Sequence, residues 1–408
     1  MKINKWSHVL IGVGLISMPA IVAAEEKMNA VQTALSSTTL SGYVDTSAIL
    51  NIGHGYYNLP GHVYDTADMQ DGFNLDVVSL TLAKPLDEKE WSAGYNLQML
   101  FGPGATKRGT GSFIPGTVNN PSAAGGANQP SGGDFAFNEA YVALRVPVGN
   151  GIDFKVGQFG TYNGYEAYDT YKDPTWSRSY GFYIESSAHT GISGSYKFSD
   201  AVTLMLGVGN MAGFNNQANA KYALNETKKA FLSMITLTAP ESFGFLKGAS
   251  LSAGYTGGVN GPYNSWMQEN FYVGASLPTP VAGLSVGLAY DYTVGSAFQD
   301  SYAQALAGYV VYQATEKLKL AARADFGWGS DTSYGYWAST AGANQLFSLT
   351  LNADYALWKN VVSRVELRWD DCLTGDTPFG GTIASTPTTN NGTEKNDVSL
   401  ILNITYLF

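Results

Sequence analysis

The sequence predicts an all-β protein, a closed antiparallel transmembrane β-barrel of about 16 strands with short periplasmic turns and long extracellular loops. Three observations carry that prediction. Stretches of about ten residues alternate apolar and polar side chains through most of the chain. The connections between these stretches alternate in length. The final stretch, ILNITYLF, sets Leu400, Leu402, Ile404, Tyr406 and Phe408 on one side of an extended strand and Ser399, Asn403 and Thr405 on the other. With 45% hydrophobic residues but a mean hydropathy of −0.08, apolar and polar residues are interleaved rather than blocked.

Residues 1–24 have the layout of a cleaved signal peptide. Lys2 and Lys5 form the basic region, Val9 to Met18 the apolar core, and Val22, Ala23 and Ala24 the small-residue cleavage site. The apolar core falls short of the ~20 residues a spanning helix needs. Residues 25–39 fit no strand pattern and are expected to form a periplasmic leader. The barrel is expected over 40–408.

Alternation is clearest in three strands. In KEWSAGYNLQMLF, Trp91, Ala93, Tyr95, Leu97, Met99 and Phe101 share a face opposite Ser92, Gly94, Asn96 and Gln98. In EKLKLAARADFGW, Leu318, Leu320, Ala322, Ala324 and Phe326 oppose Lys319, Arg323 and Asp325. In NVVSRVELRWD, Val361, Val365, Leu367 and Trp369 oppose Arg364, Glu366, Arg368 and Asp370. Alternation alone does not say which face is inside, so a secreted β-sandwich or propeller is the competing fold. Aligned charges on long strands, asymmetric connections and the terminal Phe408 favour the barrel.

Short connections carry the Pro, Gly, Asn and Asp of tight turns: PLDEKE (85–90), PVGNG (147–151), KFSD (197–200), PTPVAG (278–283), ATEK (314–317) and LWKN (357–360). Long ones, at 102–133, 161–187, 211–227, 329–344 and 371–396, are rich in Gly, Asn, Ser and Thr. Residues 178–185 would make an odd strand and displace KFSD to the long-loop rim, so they are expected to stay in the 161–187 loop. A lipid bilayer offers no water to unpaired backbone groups, so the last strand must pair with the first. Leu402, Ile404, Tyr406 and Phe408 are therefore expected on the strand that closes the barrel, and a terminal Phe on an alternating strand resembles the assembly signal of outer-membrane proteins, which implies a role in assembly.

The formal charge of −10 argues against nucleic-acid binding, which needs basic surfaces. The single cysteine, Cys372, allows no disulfide framework within the chain and is expected to lie in a polar loop as a free thiol. His54, His62 and His189 show neither a catalytic spacing nor a metal-ligand cluster. No enzyme activity, metal or cofactor is expected.

The block from 137 to 200 resembles the OmpL-like family of outer-membrane β-barrel porins. The resemblance rests on KVGQF, Gly164-Tyr165-Glu166, Ser177-Arg178-Ser179 before an aromatic residue, and His189-Thr190-Gly191, with SRVELRWDD (363–371) and the closing LNITYLF further on. It implies a passive porin of the cell outer membrane and supplies no substrate. By analogy with porins whose third loop folds inward, 161–187 is the expected constriction, with Glu166, Asp169, Lys172, Asp173 and Arg178 as its charges. Opposite them the pore wall would present Arg145, Lys155, Lys319, Arg323, Asp325, Arg364, Glu366 and Arg368. These charges would either set a field across an aqueous eyelet or pair to stabilise the barrel. The expected partners are outer-membrane lipid, the outer-membrane assembly machinery, small hydrophilic solutes and, as one open arrangement, further copies of the chain. The alternative function is a structural or adhesive barrel with a closed lumen.

Overall fold

A computed structural model describes residues 37–52, 72–88, 91–106, 135–212, 228–259, 267–295, 301–330, 344–380 and 393–408. The proposed signal peptide, His54 and His62 lie outside the described residues. Sixteen strands follow one another around a closed barrel. They are β1 (Thr39–Asn51), β2 (Gly72–Lys84), β3 (Ser92–Phe101), β4 (Phe135–Val146), β5 (Ile152–Gly160), β6 (Ala188–Ser199), β7 (Val202–Gly209) and β8 (Ala230–Thr238). The second half comprises β9 (Ser250–Val259), β10 (Met267–Pro278), β11 (Leu284–Val294), β12 (Tyr302–Gln313), β13 (Leu318–Gly329), β14 (Gln345–Trp358), β15 (Val361–Cys372) and β16 (Asn396–Leu407). The strand number matches the sequence expectation, and β1 starts one residue before the expected boundary at Leu40.

Burial settles which face points inward. Leu320, Leu351, Val365, Leu367, Leu402 and Ile404 are 41–50% exposed on the outer face, whereas the alternate residues Arg323, Asp325, Thr350, Glu366 and Arg368 are 0–1% exposed. A sandwich or propeller core would invert this arrangement. The apolar outer belt suits hydrocarbon, and the closed ladder leaves no strand edge for lipid to contact.

Closure uses the two ends of the barrel sequence. β1 and β16 pair antiparallel from Tyr43 opposite Leu407 to Asn51 opposite Ser399. Gly42 N donates to Phe408 O at 2.9 Å, and Phe408 N donates to Gly42 O at 3.0 Å. A side chain at Gly42 has no room: a Cβ there would run into Ser79 O and stand 2.7 Å from the Phe408 ring. Leu402→Arg puts a charge on the lipid face at a cost of about 2–4 kcal/mol near the midplane. That variant, and deletion of Phe408, are expected to lower the heat-modifiable, membrane-inserted fraction on gels; normal levels of both would mean the closing strand tolerates either change.

Each short connection named from sequence joins neighbouring strands. Turn chemistry explains the bends: Asn360 adopts φ 64° between β14 and β15, and Gly149 adopts φ 62° between β4 and β5. The β8–β9 connection, absent from the expected turns, contains a short 3₁₀ segment, Glu241–Leu246. Two sequence expectations concern the long connections. Residues 178–185 form no strand, and Tyr180–Ile184 make a five-residue helix inside the 161–187 segment. Cys372 is not in a polar loop. It ends β15, fully buried in a cluster with Leu346 and Phe379, because the β14–β15 ladder continues through the Leu346–Cys372 pair.

Candidate functional site

The segment 161–187 leaves β5 and returns to β6 at one place. Thr161 N donates to Ser187 O at 3.2 Å, and the Thr161 and Ser186 hydroxyls meet at 2.7 Å. Between these points the segment has its own order. Glu166 Oε2 accepts from Ser179 N at 2.8 Å and from its hydroxyl at 3.1 Å, Asp173 Oδ1 accepts from Ala167 N at 2.8 Å, and Arg178 pairs with Asp173 at 2.5 Å. Ser179 caps the short helix by accepting from Phe182 N at 3.4 Å. Lys172 pairs with Asp169 at 2.6 Å.

Most of the segment is buried, so its irregular backbone needs partners other than water. The charged inner rows of β13 and β15 supply them. Arg323 Nη1 donates to Glu166 Oε1 at 2.9 Å, Thr175 Oγ1 at 2.7 Å and Ser177 O at 2.6 Å, while Nη2 reaches Arg178 O at 3.1 Å. Arg364 Nη1 donates to Thr170 O at 2.7 Å, and its Nη2 to Asp173 O at 3.1 Å. Arg368 holds Asp370 through two nitrogens and donates to Arg178 O at 2.5 Å. Glu366 works in the opposite sense, accepting from Trp176 N at 2.5 Å and Ser177 N at 3.0 Å, and Asp325 accepts from Tyr180 N at 2.9 Å. A guanidinium with five donors suits a run of orphan carbonyls, and a carboxylate suits a run of orphan amides.

Other strands complete the grip. Tyr43 OH and Gln98 Nε2 donate to Asp169 Oδ1 at 2.9 and 3.0 Å, and Thr170 Oγ1 donates to Asp45 Oδ2 at 2.8 Å. Asn163 Nδ2 donates to Asn270 Oδ1 at 2.7 Å, and Asn352 Nδ2 donates to Pro174 O at 3.0 Å. Tyr165 stacks on Tyr309 at 4.2 Å, and Tyr309 OH donates to Glu166 Oε1 at 3.2 Å. The segment is thus bonded to β1, β3, β10, β12, β13, β14 and β15. Burial alone would raise the Asp169 carboxyl, but Lys172 and the bonds from Tyr43 and Gln98 outweigh it and hold the group below its ordinary range.

Of the charges expected to face one another across water, Glu166 and Arg323 meet as an ion pair, while Arg364 and Arg368 reach backbone carbonyls of Thr170, Asp173 and Arg178, and Glu366 and Asp325 accept from backbone amides of the segment. Two expected wall residues stand elsewhere. Arg145 pairs with Asp153 at 2.6 Å and donates to Asn150 O, next to the β4–β5 turn, and Lys319 pairs with Asp354 at 2.6 Å. Lys155 borders open space. A cavity of about 200 Å³ lies between the segment and the inner wall of β3 to β5, lined by Gln98, Asn138, Glu139, Tyr141 and Lys155 on the wall and by Tyr162, Tyr168, Lys172 and Phe182 on the segment. Asp45, Tyr43, Gln98, Asn138, Glu139, Tyr141, Asn163, Tyr309 and Asn352 were not singled out from sequence. For those on strands the signal was the inward phase, as in LSGYVDTSAIL, where Tyr43, Asp45 and Ser47 fall on one side and Val44, Thr46 and Ala48 on the other; Asn163, in the segment, carries no such signal.

Among the described residues no three His, Cys, Asp or Glu side chains group as metal ligands. A family model described as "Putative beta-barrel porin-2, OmpL-like" matches residues 37–408. No curated protein matches the chain. Among solved structures, the outer membrane channel DcaP of Acinetobacter baumannii is similar at TM-score 0.59 and 13% identity, covering 93% of this chain and 100% of that one. An anion-selective porin from Comamonas acidovorans is similar at TM-score 0.56 and 14% identity, covering 91% and 99%. OmpT of Vibrio cholerae in its trimer form is similar at TM-score 0.53 and 9% identity, also covering 91% and 99%. At these identities the likeness concerns the fold.

Proposed function

The chain belongs to the OmpL-like family of beta-barrel porins, and from that premise we propose that it is a passive diffusion channel of the outer membrane, narrowed by the 161–187 segment and passing small hydrophilic solutes. The observation that supports this reading is the cavity left beside the segment within a barrel whose inner face is polar. Fixed wall charges and a narrow opening are what a diffusive pore uses to sort solutes. Proteoliposomes are expected to swell in an isotonic small sugar and not in an oligosaccharide of several rings; absence of swelling in both would remove the diffusion reading.

A second reading has its own support. The segment is bonded to strands on most sides of the barrel, as a structural barrel with a closed lumen would require. In that case liposomes would stay osmotically inert while the barrel remained folded. Assembly into copies of itself is a further part of the proposal, by likeness to OmpT, which has been solved in a trimer form. Native mass spectrometry in detergent that found monomer alone would remove it.

The docked segment also predicts a pH dependence. Burial, and then the charge of Asp291, push the Glu185 carboxyl well above its ordinary range. An acid raised in this way keeps an extra proton in the docked form. Docking is therefore favoured as pH falls and loses this contribution as pH rises through the elevated value. Channel current is expected to be smaller and quieter at pH 5 than at pH 8, with the difference reduced in Glu185→Gln. A current that falls with rising pH would contradict the assignment.

A further inference from the structure

The inner-face and segment cations of this barrel are nearly all matched by carboxylates. Arg145 has Asp153, Lys172 has Asp169, Arg178 has Asp173, Lys319 and Arg364 share Asp354, Arg323 has Glu166 and Asp325, and Arg368 has Asp370. Lys155 is the exception among the described residues of these two regions. Its ammonium lies over two rings, 4.8 Å from the centre of Tyr141 and 5.5 Å from that of Tyr162, and it borders the cavity between the segment and β3 to β5. Glu139, on the same wall, accepts from Asn96 Nδ2 at 2.7 Å and from Gly160 N at 3.2 Å, and it attracts the Lys155 ammonium without closing an ion pair with it.

We infer that this off-centre opening is a weak binding site for a small organic monoanion, with its carboxylate on the Lys155 ammonium and a flat apolar body against the tyrosine rings. The inference rests on the channel reading only in placing the site on the solute path. An unpaired cation is the group able to take a carboxylate without first breaking an ion pair. The tyrosine faces beside it, with Tyr168 and Phe182 across the cavity, offer apolar contact to a ring-sized body. Volume sets an upper limit, because the cavity of about 200 Å³ is below the ~300 Å³ at which drug-sized pockets begin. Charge sets another. Glu139, Glu166, Asp169 and Glu185 also border the opening, Glu166 paired with Arg323 and Asp169 with Lys172, so a second negative charge on the ligand would meet like charge.

Sodium benzoate is the probe. Added to the wild-type protein in a planar bilayer, it is expected to interrupt the chloride-supported current reversibly. Lys155→Gln should weaken that block about tenfold, the loss of one charge-assisted hydrogen bond, and should shift reversal potential in a KCl gradient toward cations. Lys155→Arg should retain most of both effects. Saturation-transfer NMR on the detergent-solubilised barrel reads binding without any current, so the two ideas separate. Benzoate contact with wild type and its loss in Lys155→Gln, in a barrel that never conducts, would keep the site and remove the channel reading. Equal block or equal contact in wild type and Lys155→Gln would overturn the inference and leave the channel reading intact. Block by acetate at equal strength would also overturn it, because the rings would then contribute nothing.

Discussion

Replacing residues 163–185 with a short Gly-Ser bridge should give a barrel that still folds and whose single-channel conductance is several-fold above wild type. The ends are already adjacent, since Thr161 N donates to Ser187 O at 3.2 Å, so a short bridge can span them without moving β5 or β6. Strand pairing is not interrupted, because the ladder runs from β5 to β6 through Gly160 opposite Ala188 and does not use the segment. Excision converts the Arg323, Arg364 and Arg368 row from donors to loop carbonyls into charges exposed to water. That change widens the path and adds mobile-anion attraction to it. Heat-modifiable mobility should persist. If the bridged barrel conducted no better than wild type, the segment would not be the narrowest part of the path.

Arg323→Ala is expected to release the segment without removing it. One guanidinium holds Glu166, Thr175, Ser177 and Arg178 of the segment as well as Asp325 and Thr350 of the wall. Removing one member of a buried, hydrogen-bonded charge group leaves its partners desolvated and uncompensated, at about 3–5 kcal/mol. The barrel ladder contributes nothing to this term, so the cost falls on docking. The expected result is a noisy, larger conductance and new proteolytic cleavage between 161 and 187 in a barrel that still shifts on heating. Arg323→Lys should fall between the two, because a lysine keeps the charge but loses the planar fork. Quiet wild-type current and full protease resistance in Arg323→Ala would show that the other strands hold the segment alone.

Much of the fold was legible because a strand's period of two survives in sequence. The alternations in SRVELRWD and LKLAARAD announce both the strand and its two faces, and β13 and β15 place them as read. Alternation has no sign, however, and what distinguishes inside from outside is the aligned charges on long strands, Phe408 and the asymmetric connection lengths. The site was legible by composition but not by contact. Glu166, Asp173, Arg323 and Arg364 are visible as charges in a loop and on strands, yet nothing in their spacing says that Arg323 reaches Glu166, or Arg364 the Asp173 carbonyl, across more than a hundred residues. Asn163 and Asn352 show the limit more plainly: one asparagine in a loop and one in a strand look ordinary until Asn270 and Pro174 O are found opposite them. Cys372 was misplaced for a similar reason. Asp371 before it and Thr374-Gly375-Asp376 after it read as loop, while the inward phase of β15 that buries Asp370 continues to Cys372.

The most direct test is the planar-bilayer conductance of the purified wild-type protein. A passive channel narrowed by the docked segment predicts stepwise, ohmic insertions of small unit conductance that persist at low voltage. A barrel that inserts, as judged by heat-modifiable protein recovered from the bilayer, but produces no steps at any salt concentration would contradict the diffusion reading and favour the closed structural barrel.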